Sequence, residues 1–191
     1  LSLMGSATNF GASLQLTLTN PTTFSARVWN GTTWSALSQS SFVLAPLRQP
    51  AVGDLIISEM NYHPVDLDNY EYVELYNAGT NLLDLTNVRL ADGIDYTFPN
   101  NFRMAPGSFA LAVKSIPDFA ARYQTPSSPY YYSNIVVAGQ YTGKLSDSGE
   151  RIALLASNGV VLAEVTYSDG GAWPDRADGL GSSLELRDLS A

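Results

Sequence analysis

Turn signals recur every eight to fifteen residues along this chain, and the segments between them alternate apolar and polar side chains. Successive side chains of a strand point to opposite faces, so such alternation reads as half-buried strands. The spacing of the turns is that of a sandwich or barrel. Residues 12–20 put Leu14, Leu16 and Leu18 on one face, and residues 23–30 put Phe24, Ala26 and Val28 in register before an Asn30-Gly31 turn. A further short strand is expected around Ser41–Leu44. The segment APLRQPAVG carries Pro46 and Pro50 and reads as a linker. The expected division is therefore a β segment at 1–48, a linker at 49–53 and a second domain at 54–191.

In the second domain, strands are expected within 54–62, 70–78, 88–99, 108–114, 151–157, 160–167 and 182–187. Asn158-Gly159 is the strongest hairpin signal. One helix interrupts this order. Ser115 precedes Asp118 by three residues, Pro117 lies just inside the start, and Phe119 and Tyr123 stand at i and i+4 so that one face can dock on a sheet. The expected core includes Leu55, Ile57, Tyr72, Leu75, Leu111, Ile152, Leu154 and Val165.

Composition narrows the chemistry. Of 191 residues, 45% are hydrophobic and 15% charged, a thin charge content that suits a β-rich extracellular or cell-surface protein. No run of about 18 apolar residues exists, so no helical membrane span is expected. There is no Cys and one His, His63. Disulfides, thiolate catalysis and Cys-based metal sites are excluded, and so are multi-His metal sites. Ten Lys and Arg against 18 Asp and Glu give a net charge of −8, a poor match to nucleic acid, whose phosphates demand clustered cations. The chain opens at Leu1 without a basic leader, which reads as a fragment of something longer.

Several motifs occur in a fixed order. DLIISEMNYHP is followed by EYVELYN at Glu71–Asn77, by Leu83-Asp84-Leu85, and by Ala105-Pro106-Gly107 ahead of an apolar strand. GKLSDSGERIALLASNGVVLAEVTY and AWPDRADGLGSSLELRD close the series. This set, over residues 54–188, resembles the lamin tail domain family in its bacterial form. The resemblance implies an all-β, immunoglobulin-like β-sandwich that serves as an accessory module in large exported multidomain proteins. FSARVWNGTTWSALSQSSFV (24–43) is similar to a motif of fibronectin-like or chitobiase-C-terminal-like β-domains, so the N-terminal part is expected to be a partial β-domain. Nuclear filament roles are not implied, because the chain has neither coiled-coil heptads nor a C-terminal prenylation Cys.

Glu59, Asp66, Asp68, Glu71 and Glu74 form the densest acidic cluster, and Glu59, Asp66, Asp68 and Glu71 are the candidate calcium ligands, since hard oxygens suit that ion. The competing reading puts Glu71 and Glu74 on opposite faces of one strand and leaves Asp66 and Asp68 in a solvated loop. Asp169, Asp175 and Asp178 form a second acidic loop that reads mainly as turns, beside Trp173, which is expected to fill the sandwich core or cap its end. His63 with Ser58 and Glu59 or Asp66 invites a catalytic reading, but no nucleophile elbow is present. Trp29, Trp34 and Tyr130–Tyr132 could stack on sugars, but Tyr130–Tyr132 read first as residues that pack a loop over a sheet end. No catalytic residue is assigned. The expected function is a non-catalytic interaction or structural module with a protein or carbohydrate partner, the alternative being a carbohydrate- or calcium-dependent binding module. Self-association through the N-terminal strands is expected as well.

Overall fold

The computed structural model describes residues 18, 22–42 and 47–189. The chain divides into two compact units, one ending at Leu44 and the other starting at Ala45. In the first, β1 (Thr22–Ala26) and β2 (Ser38–Phe42) pair antiparallel, with Phe24 opposite Ser40. The rings of Phe24 and Phe42 meet edge to face at 5.6 Å. At the intervening turn the Asn30 side-chain oxygen accepts from the N–H groups of Thr32 and Thr33 at 2.9 and 2.8 Å. Trp29 and Trp34 bridge the loop with rings 5.0 Å apart, and the Arg27 guanidinium lies over Trp34. The strands expected at 12–20 and around Ser41–Leu44 fall partly outside the described residues.

The second unit begins earlier than the sequence suggests. β3 (Leu47–Arg48) pairs parallel with β6 (Leu82–Asp84), which in turn pairs with β9 (Arg103–Met104). Arg48 grips Asp54 with both guanidinium ends at 2.6 Å, and the Ala51 N–H also donates to that carboxylate at 2.6 Å. Burial works against ionisation of Asp54, and these donors outweigh it, holding its carboxyl below the ordinary range. The described part of the segment read as a linker, residues 47–53, is thus a clamped turn.

The remaining strands are β4 (Leu55–Asn61), β5 (Tyr72–Asn77), β7 (Arg89–Asp92), β8 (Ile94–Thr97), β10 (Phe109–Val113), β11 (Val137–Gln140), β12 (Thr142–Gly143), β13 (Arg151–Leu155), β14 (Val161–Thr166) and β15 (Leu184–Glu185). One sheet runs β11-β10-β5-β4-β15 and the other β12-β8-β7-β13-β14. Leu55, Met60, Val73 and Leu75 of the first share one buried cluster with Leu90, Ile94, Ile152, Leu154 and Leu162 of the second. That shared interior makes the unit an all-β, immunoglobulin-like sandwich. The Asn158-Gly159 hairpin joins β13 to β14 as expected, with Gly159 at φ 84°.

β10 and β11 run parallel, and a parallel pair needs a crossover. Here it is α1 (Ile116–Phe119), a π turn at Ala120–Gln124 and the loop that follows. Ser115 caps the helix: its hydroxyl accepts from the Asp118 N–H and donates to the Asp118 carboxylate. Phe119 and Tyr123 stack at 4.7 Å, as their spacing predicts. They cover the outer face of the first sheet and form a second, smaller cluster with Leu111, Val113 and Tyr72. One core expectation is corrected by this. Tyr72 is only partly buried and lies on the outer face under the crossover, because Tyr72 and Leu75 are an odd number of residues apart, whereas Leu111 is buried as expected but in this second cluster. Ile57 and Val165 are only partly buried but pack on the main core.

The crossover is pinned by Arg122. Its guanidinium carbon sits 4.3 Å from the Tyr70 ring centre and 4.2 Å from that of Tyr130, and its Nη1 reaches Asp66 at 3.0 Å. Replacing Arg122 by Ala should cost about 1–2 kcal/mol, from the stacked cation and the buried stem, and should speed protease cleavage within 126–136. Arg122→Lys should recover only part of this, since a point charge cannot stack between two rings. Thermal melts and timed proteolysis read both effects.

Candidate functional site

The outer face of the first sheet carries the site. β4 starts with Leu55 and Ile57 facing inward, and strict alternation would send Glu59 inward too. The register against β5 slips at Ser58: Ile57 pairs with Leu75, whereas Glu59 pairs with Glu74. This one-residue bulge returns Met60 and Tyr62 to the core and turns Glu59 outward beside Glu74. On the other side Glu59 pairs with Glu185 of β15. Three carboxylates therefore stand in one row across three strands.

Two of the three are held in place by hydroxyls. The Ser58 hydroxyl donates to Glu74 Oε1 at 2.8 Å, and the Tyr72 hydroxyl donates to Glu59 Oε1. Burial pushes the Glu74 carboxyl above its ordinary value; Glu59 and Glu185 add to that rise, and the Ser58 hydroxyl opposes it. Beside this row a groove of about 500 Å³ opens between the sheet and the loop after the crossover helix. Glu59, Glu74 and Tyr72 line its floor, and Phe109, Leu111, Tyr132 and Val136 line its apolar side. Phe109, Tyr132 and Val136 are 40%, 70% and 51% exposed. Two further depressions are present, one lined by loop residues around Ser146–Ser148 and one by strand residues of β7, β8 and β12 around Asp92–Asp95.

The sequence-expected calcium ligands are not brought together. Glu71 is fully buried, where its Oε2 accepts from the Tyr141 hydroxyl at 2.8 Å and the Leu145 N–H at 3.0 Å. Glu59 lies on the outer face of the sheet. Asp66 pairs with Arg122, and Asp68 with Lys144 at 2.8 Å. Those cations come from far along the chain. Among the described residues, no group of three or more His, Asp or Glu side chains is placed to hold a metal ion. Adding calcium at about 1–10 mM should therefore leave the melting temperature where a chelator leaves it. A rise with calcium but not magnesium would contradict this placement.

His63 does not meet Ser58. Its Nδ1 lies 2.7 Å from Asp178, and its ring covers Gly179, where a Cβ would press on the imidazole. This pair ties two loops together. Asp175 opens a 3₁₀ turn, Asp169 is exposed, and Trp173 packs partly buried against the main core. Tyr130 is engaged by Arg122, while Tyr132 faces the groove.

Sequence reasoning missed Phe109, Leu111 and Val136 as groove residues and Glu185 as the third carboxylate of the row, and placed Glu74 only within the acidic cluster. One signal was present. The run Phe109–Val113 is apolar throughout, which marks a strand covered on both faces.

The sequence model of the lamin tail domain matches residues 48–169. It begins at β3, in agreement with the earlier start of the second unit, and stops before the closing segment whose β15 completes the first sheet. No curated protein matches the chain. A match over more than half of the chain, borne by an immunoglobulin-like sandwich, means that the protein belongs to the lamin tail domain family.

Proposed function

We propose that this chain is a non-catalytic interaction module of a large exported bacterial protein, and that the groove on the first sheet is its partner surface. The observation that carries the reading is the groove itself. A strand bulge and a helical crossover cooperate to leave an apolar wall beside two oriented carboxylates, and large exposed apolar groups on a monomer mark interaction surfaces. The family supports a module of the immunoglobulin type, whose function lies in the surfaces added to the scaffold. Export is supported by the thin charge content and the β-rich plan.

Two measurements test this. A photo-crosslinking residue at Tyr132, in cells of the producing organism, should give a discrete adduct that the same residue at Val161, on the far edge of the second sheet, does not. Equal adducts at both positions, or none at Tyr132, would contradict the assignment of the groove. Protease added to intact cells should degrade the chain before lysis; protection until lysis would contradict export.

A further inference from the structure

We propose that the groove takes a lysine or arginine side chain from a basic, apolar-flanked segment of a partner protein, a step that rests on reading the groove as the partner surface. The cation would meet Glu59 and Glu74 on the floor, and its methylene stem would lie along Phe109 and Leu111.

Charge complementarity argues for this occupant. Glu59 stands directly opposite Glu74 on one side and Glu185 on the other. Like charges directly opposite across antiparallel strands destabilise a sheet. Among the described residues, the ion pairs use Arg48, Arg122, Lys144, Arg151 and His63, and none of them reaches Glu59, Glu74 or Glu185. Glu59 and Glu74 therefore face the groove without a cation partner, with Glu185 beside Glu59, on a chain whose net charge of −8 already draws cations.

The wall argues for an organic cation. A calcium ion asks for six to eight oxygens around it. Here Tyr72 and Ser58 already occupy one oxygen of each floor carboxylate, and the rest of the lining is mainly apolar and aromatic, with Asn134 among it. A side chain that is apolar along its stem and charged at its tip matches both halves at once. The flanking aromatic rings add attraction for a cation. A neutral sugar could stack on Tyr132 but would leave the carboxylate row uncompensated.

The experiment is amide NMR on the isotope-labelled 191-residue chain at about 150 mM salt, which screens long-range attraction. Three probes are compared: the capped peptide Gly-Leu-Lys-Leu-Gly, the same peptide with an acetylated lysine side chain, and a chitin hexasaccharide. The lysine peptide should shift the amides of Glu74, Phe109 and Leu111. Acetylation should weaken it about tenfold, the size of one charge-assisted contact. The double variant Glu59→Gln with Glu74→Gln should erase the difference between the two peptides. Its spectrum also shows that it folds, since glutamine oxygens still accept from Tyr72 and Ser58. Equal binding of both peptides at these amides would overturn the cation while leaving the groove as a partner surface. Shifts at the same amides from the sugar alone would overturn the basic partner and make the groove a sugar site. Shifts there from no probe at millimolar concentration would overturn both the cation and the groove.

Discussion

Replacing Glu71 by Ala should destabilise the second unit by about 2–4 kcal/mol, although Glu71 touches no ligand. The side chain is fully buried and links the start of β5 to the loop before β13 by accepting from the Tyr141 hydroxyl and the Leu145 N–H. Alanine would leave both donors buried without a partner, at about 1–3 kcal/mol each, partly offset because a buried carboxylate no longer has to be desolvated. Glu71→Gln should cost less, since its carbonyl still accepts. The pH profile separates the two effects. Burial raises the Glu71 carboxyl above its ordinary value, against the pull of Leu145, Tyr141 and Lys114. A group whose folded pKa is raised stabilises the fold below its unfolded value and loses that contribution as pH rises through the folded value. The wild-type protein should therefore gain stability as the pH falls from neutral toward 4.5, the ordinary value for this carboxyl, and Glu71→Gln should flatten that rise. Urea unfolding at several pH values reads both. An alanine variant as stable as the wild type would contradict the bracing role.

Leu154→Ala should cost about 2–5 kcal/mol, the range for deleting a fully buried leucine. Leu154 has no exposed surface and sits on β13 between Leu90 and Ala163, a central position with neighbours on both flanks. At this chain length the melting temperature should fall by roughly 2–4 °C for each kcal/mol. Val161→Ala, on the edge strand β14 and 37% exposed, should cost under about 1 kcal/mol. Equal losses at the two positions would mean that the sheets do not pack through β13 as described.

The sandwich was legible because its signals are local. Alternation at Tyr72–Asn77, the Asn158-Gly159 turn and the Ser115 cap each act within a few residues, and the ordered motifs tied them to one family. Gly149 shows the same agreement: it holds φ 102° where a Cβ would strike the Tyr167 carbonyl, and it lies in the GKLSDSGE stretch of the ordered motifs. The site was less legible because its determinants are not local. Glu71 looks like an exposed acid until Tyr141 and Leu145 arrive, 70 and 74 residues later. Asp66 and Asp68 look unneutralised until Arg122 and Lys144 close on them. The face that Glu59 occupies depends on a single bulge at Ser58, and a period-two reading of β4 assigns it to the wrong side.

That bulge makes the groove what it is, because it sets Glu59 beside Glu74. Isotope-detected titration of the Glu74 carboxyl tests the juxtaposition directly. Glu74 should titrate above the ordinary glutamate value of 4.5 in the wild-type protein, raised by burial and by Glu59 and Glu185. In the double variant Glu59→Gln with Glu185→Gln it should move back toward that value, because the like charges are gone while the burial remains. A Glu74 carboxyl that titrates identically in both proteins would mean that the three carboxylates do not share a face.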